Sequence, residues 1–309
     1  MAASSKNSKT RVRKAPQYKS FKLSKKIKNP GKPLPGIYRL YKQSLSLLFQ
    51  NKKLFFGITG IYIFLTLIFV SGFGLSVDFN EAKQSFSEAF GENSGRLTTS
   101  LALFSFLVSS GNTVESESGG VYRLFLSIVV SLVIIWAIRQ IYAGEKPSVK
   151  QSFYQGVYPL VPFILVLVVV SIQLIPFLIG SFLSSVVFST GIAVTAAEKI
   201  LWILIFGLLT LLSLYMIISS AFALYIVTLP DMTPMRALRS ARGLVLHRRL
   251  SIGLRIIGLP ITTLLLYVLI LLPIIFVLPA LAVPVFICLT GLVLFIVHAY
   301  MYNLYRALL

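Results

Sequence analysis

The stretch 230-PDMTPMRALRSARGLVLHRR-249 sets Arg236, Arg239, Arg242, Arg248 and Arg249 close together in a chain that is otherwise poor in charge. Guanidinium groups at that density suit phosphate, because each planar fork offers paired N–H donors that match two oxygens at once. A smaller basic set, Arg39 and Lys42, stands in 36-GIYRLYKQSLSLLFQNKK-53. The ligand these seven residues could take is an anionic lipid headgroup. Two further polar residues, Gln173 and His298, lie deep in apolar runs, where burial demands a partner or water and can mark a transport path.

Other chemistry finds little footing. His247 and His298 have no acidic or cysteine neighbour at ligand spacing, so neither a zinc site nor a general-base pair is expected. The sequence has no phosphate-cradling Gly-rich loop with a Lys, no G-x-S-x-G and no H-E-x-x-H. Cys288 stands alone, which leaves no disulfide within the chain and no multi-cysteine metal cluster. The expectation is a protein that is not an enzyme and carries no cofactor. Asp78, Glu81, Glu88, Glu92, Glu115 and Glu117 crowd into the segment 77–120 and read as a solvated loop rather than a cation site.

The elements that position these residues follow from composition. At 56% hydrophobic and 12% charged, with a mean hydropathy of +0.85, the 309-residue chain exceeds what a water-soluble core can hide. The uncharged runs 151–197, 200–230 and 256–305 must cross a bilayer once, once and twice, at roughly 20 residues per span. Two more spans stand in the first half. The spacing predicts six membrane helices, at 54–76, 121–142, 157–183, 200–228, 256–277 and 281–305. A shorter segment, 97–110, is expected to lie in or on the outer face. The fold class is all-α and polytopic.

Orientation follows from the basic residues. With six spans, one side collects 25 of the 29 Lys and Arg against Glu145 and Asp231, while the other holds Lys83, Arg96, Arg123 and Lys199 against seven acids. Positive residues stay inside, so both termini are expected to be cytoplasmic. Arg123, Arg139 and Lys199 sit near span ends, where snorkelling accounts for them. Residues 1–35, with eleven basic residues and no acid, read as a disordered tail that determines topology or adheres to anionic headgroups, with nucleic acid the least favoured partner.

Three cytoplasmic stretches repeat one layout. In 36–53, Ile37, Leu40, Tyr41, Leu45, Leu47 and Leu48 share a helical face, with Arg39, Lys42, Gln43, Ser46 and Gln50 opposite. In 145–157, Ser148 can cap a helix with Gln151 three residues on, and Val149, Phe153 and Val157 line one side. In 231–249, Thr233 is the N-cap and Pro234 the first helical residue; Ala237, Leu238, Ala241, Leu244 and Val245 oppose the arginines. Each such helix precedes an out-and-back pair of spans, giving units 36–143, 145–228 and 231–309. Helices of this kind can lie in the headgroup zone, apolar face toward the bilayer. Replacing Arg239, Arg242 and Arg249 by Glu is therefore expected to disturb insertion or folding.

The segments 144-GEKPSVKQSFYQG-156 and 231-DMTPMRALRSARG-243 resemble those of bacterial six-span membrane proteins related to the membrane domain of glycerophosphoryl diester phosphodiesterases. The resemblance covers roughly 36–309. It implies a helical domain in a bacterial cytoplasmic membrane; in the enzymes that carry it, catalysis belongs to a separate barrel, for which this chain has no counterpart, so that activity is not implied. Three roles remain open: a structural, scaffolding or envelope-homeostasis protein; a transporter or lipid-handling protein; and an anchor for a partner protein. The second rests on Pro159, Pro162, Pro176, Pro260, Pro273, Pro279 and Pro284, which could kink spans around a crevice. A homo-oligomer is equally open.

Overall fold

The computed structural model describes residues 34–69, 104, 117–246, 248–278 and 281–309. These form eleven helices and no strand among the described residues. In chain order they are α1 (Ile37–Gln50), α2 (Lys52–Phe69), α3 (Glu117–Tyr142), α4 (Val149–Gly156), α5 (Leu160–Ile172) and α6 (Ile175–Ser189). They continue with α7 (Ala196–Ser220), α8 (Ala223–Ile226), α9 (Pro234–Val245), α10 (Arg249–Val277) and α11 (Ala282–Leu308). Six stretches are long and apolar enough to cross a membrane: Lys52–Phe69, Gly120–Tyr142, Leu160–Ser189, Ala196–Ile226, Arg249–Val277 and Ala282–Leu308. The chain is an all-helical, multi-pass membrane protein. Of the 97–110 segment only Phe104 is described; it is helical and buried against Leu271, Ile275 and Val283. Glu117, expected in the acidic loop, is instead the first residue of α3; the other five acids of that loop, the tail before Leu34, His247 and Pro279 lie outside the described residues.

Two spans differ from the sequence reading. The fifth begins at Arg249 rather than 256, so its helix carries Arg255 inward. That charge is accommodated because Arg255 Nε donates to the Pro35 carbonyl at 2.8 Å and its Nη2 to the Leu34 carbonyl at 3.0 Å. The third span is two helices, parted at Gln173 and Leu174. Pro176 opens α6 and, lacking an N–H, cannot continue the ladder from α5. Pro162 lies inside α5, and Pro260 and Pro273 lie inside an unbroken α10.

The short helices start where local chemistry dictates. The Ser148 hydroxyl accepts from the Gln151 amide at 3.2 Å, and Thr233 caps α9 with Pro234 in its first turn. Both follow a left-handed turn, at Gly144 (φ 88°) and Asp231 (φ 60°), which ends the preceding span and redirects the chain.

Their apolar faces point into the protein, a correction to the expectation that they turn toward lipid. Leu40, Ser44, Leu47 and Leu48 of α1 are buried, as are Ala237, Ala241 and Val245 of α9 and Ser152 and Gly156 of α4. Leu45 is exposed and Ser44 takes the inward place, because a side chain that packs against a span must be small at closest approach. Helix α4 docks on α3 and α2, α9 docks on α8, α7 and α5, and α1 docks chiefly on α11. At the α4 seat a Cβ on Gly156 would stand 2.9 Å from the Val133 Cα, so α4 meets the α3 backbone directly.

Candidate functional site

The junctions that carry α1, α4 and α9 lie together, since Asn303 bonds both Tyr142, just before α4, and Ser44 of α1, and Arg139 bonds the Thr228 carbonyl, just before α9. Here the inward packing of each helix leaves its basic face outward. Arg236, Arg239 and Arg242 of α9, Arg39 and Lys42 of α1 and Lys150 of α4 are all exposed. Aromatic side chains stand among them, with Tyr38, Tyr154 and Tyr158 each more than four-fifths exposed. Tyrosines with an apolar body and a wet hydroxyl are suited to the headgroup layer.

The five arginines of the 230–249 stretch therefore divide. Three project from α9, whereas Arg248 and Arg249 are half-buried at the start of α10. The Arg249 guanidinium lies 4.3 Å from the Tyr215 ring centroid, a cation–π contact that ties α10 to α7. Arg248 also has an interaction within the protein.

Beneath the basic face lies a polar and aromatic cluster that joins α1, α3 and α10 through α11. Tyr142 donates to Asn303 Oδ1, Asn303 Nδ2 donates to Ser44 Oγ at 3.2 Å, and Ser44 donates to the Leu40 carbonyl at 2.9 Å. Arg139 Nη1 donates to the Thr228 carbonyl at 2.6 Å. Arg306 covers the Tyr142 ring at 4.0 Å. Tyr300 donates to the Arg255 carbonyl at 3.0 Å, and its ring meets that of Tyr41 at 5.0 Å. Burial pushes the Tyr41 phenol above its ordinary value, against the smaller effect of its hydrogen bond with Thr262. The phenol therefore stays neutral through the physiological range.

His298 and Gln173 occupy separate places. His298 Nδ1 lies 3.0 Å from the Tyr225 hydroxyl in a hydrogen bond that joins α11 to α8. Gln173 sits at the α5–α6 break; its carbonyl accepts from Ser213 at 2.6 Å and its Oε1 from Ser220. Both residues thus have packing partners, and the two serines bridge the parted third span to the fourth. Among the described residues no group of three His, Cys, Asp or Glu could hold a metal ion.

Sequence reasoning passed over Asn303, Tyr142 and Ser44. One signal was present: Lys42-Gln43-Ser44 recurs as Lys150-Gln151-Ser152, and in both copies the serine is fully buried and donates to the carbonyl four residues back. No family model, curated protein or solved structure matches the chain.

Proposed function

We propose that this protein is a structural platform of the cytoplasmic membrane, which presents a basic cytoplasmic face to anionic lipid headgroups. The observation that supports it is the division of labour on the three surface helices. Their apolar residues make the fold, and Arg39, Lys42, Arg236, Arg239 and Arg242 remain exposed at the level of Tyr38, Tyr154 and Tyr158. A basic residue near an anionic surface contributes about 1 kcal/mol of attraction, so a handful of them selects anionic lipid strongly. The polar residues inside the spans bond to one another and leave no carboxylate at mid-span among the described residues, which favours a structural role over ion-coupled transport.

The test is reconstitution of the full chain in vesicles with and without phosphatidylglycerol, comparing wild type with the triple variant R236Q/R239Q/R242Q. Anionic lipid should raise the thermal midpoint of the wild type and do so much less for the variant. Equal midpoints in both lipids would remove the proposal. Tags at both termini that are accessible from outside intact cells would overturn the cytoplasmic placement of the basic face.

A further inference from the structure

A cavity of about 380 Å³ opens between α2, α3, α10 and α11, toward the ends of the spans opposite the surface helices. Arg123 of α3 lines it, and no acidic residue does among the described residues. Leu124, Val293, Leu294 and Val297 give it an apolar wall. Three hydroxyl residues of the lining already have partners. Ser127 donates to the Leu124 carbonyl at 2.7 Å, Tyr267 donates to Thr290 Oγ1 at 3.1 Å, and Thr290 donates to the Phe286 carbonyl at 2.8 Å.

Tyr62 is the exception. It is 4% exposed and lines the same cavity, yet its hydroxyl has no hydrogen-bond partner among the described residues. Buried hydroxyls are ordinarily paired, so an unpaired one facing a void points to a partner from outside the chain. The cavity thus combines a guanidinium, a hydroxyl in want of a partner and an aliphatic wall. Thr290 lies about 12 Å along α11 from Ala282, so the wall belongs to the interior of an apolar span. Arg123 has an interaction of its own within the protein; with five N–H donors a guanidinium can hold a ligand oxygen beside it.

We infer that this cavity binds one anionic phospholipid drawn from the bilayer. Its phosphate lies on Arg123, a glycerol or headgroup oxygen pairs with the Tyr62 hydroxyl, and the first part of an acyl chain runs along Val293, Leu294 and Val297. A free phosphate would face the aliphatic wall with nothing to cover it, and a zwitterionic lipid would bring a cation toward Arg123. The site is independent of the basic face at the other end of the spans.

Native mass spectrometry of the full-length protein in detergent tests it, with phosphatidylglycerol, phosphatidylcholine of the same chains and oleate as separate probes. One phosphatidylglycerol should be retained per chain, in preference to phosphatidylcholine. Arg123→Gln should weaken retention about tenfold or more, and Tyr62→Phe, which keeps the ring and its packing, by several-fold. Leu208→Ala, on the exposed surface of α7 and outside both the cavity and the basic face, should leave it unchanged. Ser127→Phe, which fills the cavity, should abolish retention. Equal retention of both phospholipids, unchanged binding in Tyr62→Phe and Arg123→Gln, or oleate binding in place of phosphatidylglycerol would each overturn the inference.

Discussion

Helices α3, of 26 residues, and α7, of 25, are alike in length and in hydropathy, yet 61% of the apolar stretch in the span of α3 is buried inside the protein and only 6% of that in the span of α7. Helix α3, with α11, is wrapped by other helices; α6 and α7 form a hairpin that packs mainly on itself and presents most of its surface outward. In water such a hairpin would collapse. In a bilayer it need not, because acyl chains are as apolar as leucine and helix association rests on close packing and polar contacts instead. The two regions are built accordingly. Around α3 and α11 small residues and a polar network fix each neighbour, whereas the hairpin relies on Ser213 and Ser220 holding Gln173, and on Gly180 close to Phe206 and Leu209.

The largest contrast should come from glycine substitution. Gly156→Leu drives a side chain into the α3 backbone and should cost about 3 kcal/mol, whereas Gly207→Leu, with nothing within 4 Å, should leave the thermal midpoint of the detergent-purified protein where it was. Equal effects would mean that α4 is not seated as described. Next, Asn303→Leu leaves Tyr142 and Ser44 without their shared partner and should cost about 2 kcal/mol in the same scan. In the hairpin, Ser220→Ala should cost only about 0.6 kcal/mol, the usual scale of an interhelical hydrogen bond in a membrane protein. A larger loss would show that the α5–α6 break is held from α7 more firmly than the packing suggests.

The smallest effects belong to the basic face. Arg239→Glu and Arg242→Glu should change stability by less than about 0.5 kcal/mol in neutral detergent, since both side chains are exposed. Arg249→Glu should cost about 1 kcal/mol through the lost contact with Tyr215. Misfolding of the Arg239 and Arg242 variants would restore the view that these charges orient the spans.

The number of spans was legible because hydropathy over some twenty residues is a property of each segment alone. The caps at Ser148 and Thr233 were legible for the same reason: their partners are three residues away. The α5–α6 break was not. Pro162, Pro176, Pro260 and Pro273 look alike in sequence, and only Pro176 opens a new helix at mid-span; there Ser213 and Ser220 of α7 donate to the Gln173 carbonyl and side-chain oxygen. The inward turn of α1 and α9 was also hidden, since an amphipathic pattern tells how a helix is sided and not whether lipid or protein meets its apolar side. Arg123 read as a snorkelling residue because the cavity it lines is made by helices remote in sequence, and Tyr62, one aromatic among many, carried no sign of an unpaired hydroxyl.

The seating of the surface helices has a consequence for the timetable of synthesis. Ser44 and its partner Asn303 stand 259 residues apart, so α1 leaves the ribosome well before the helix on which it rests exists. At ordinary elongation rates that interval is roughly tens of seconds. Throughout it, Leu40, Leu47 and Leu48 lack their main seat, and arrival of α11 completes their cover. A nascent chain that stalls after four spans would thus display a leucine ridge without its main cover beside its first span, a ready mark by which membrane quality control could tell unfinished copies from finished ones.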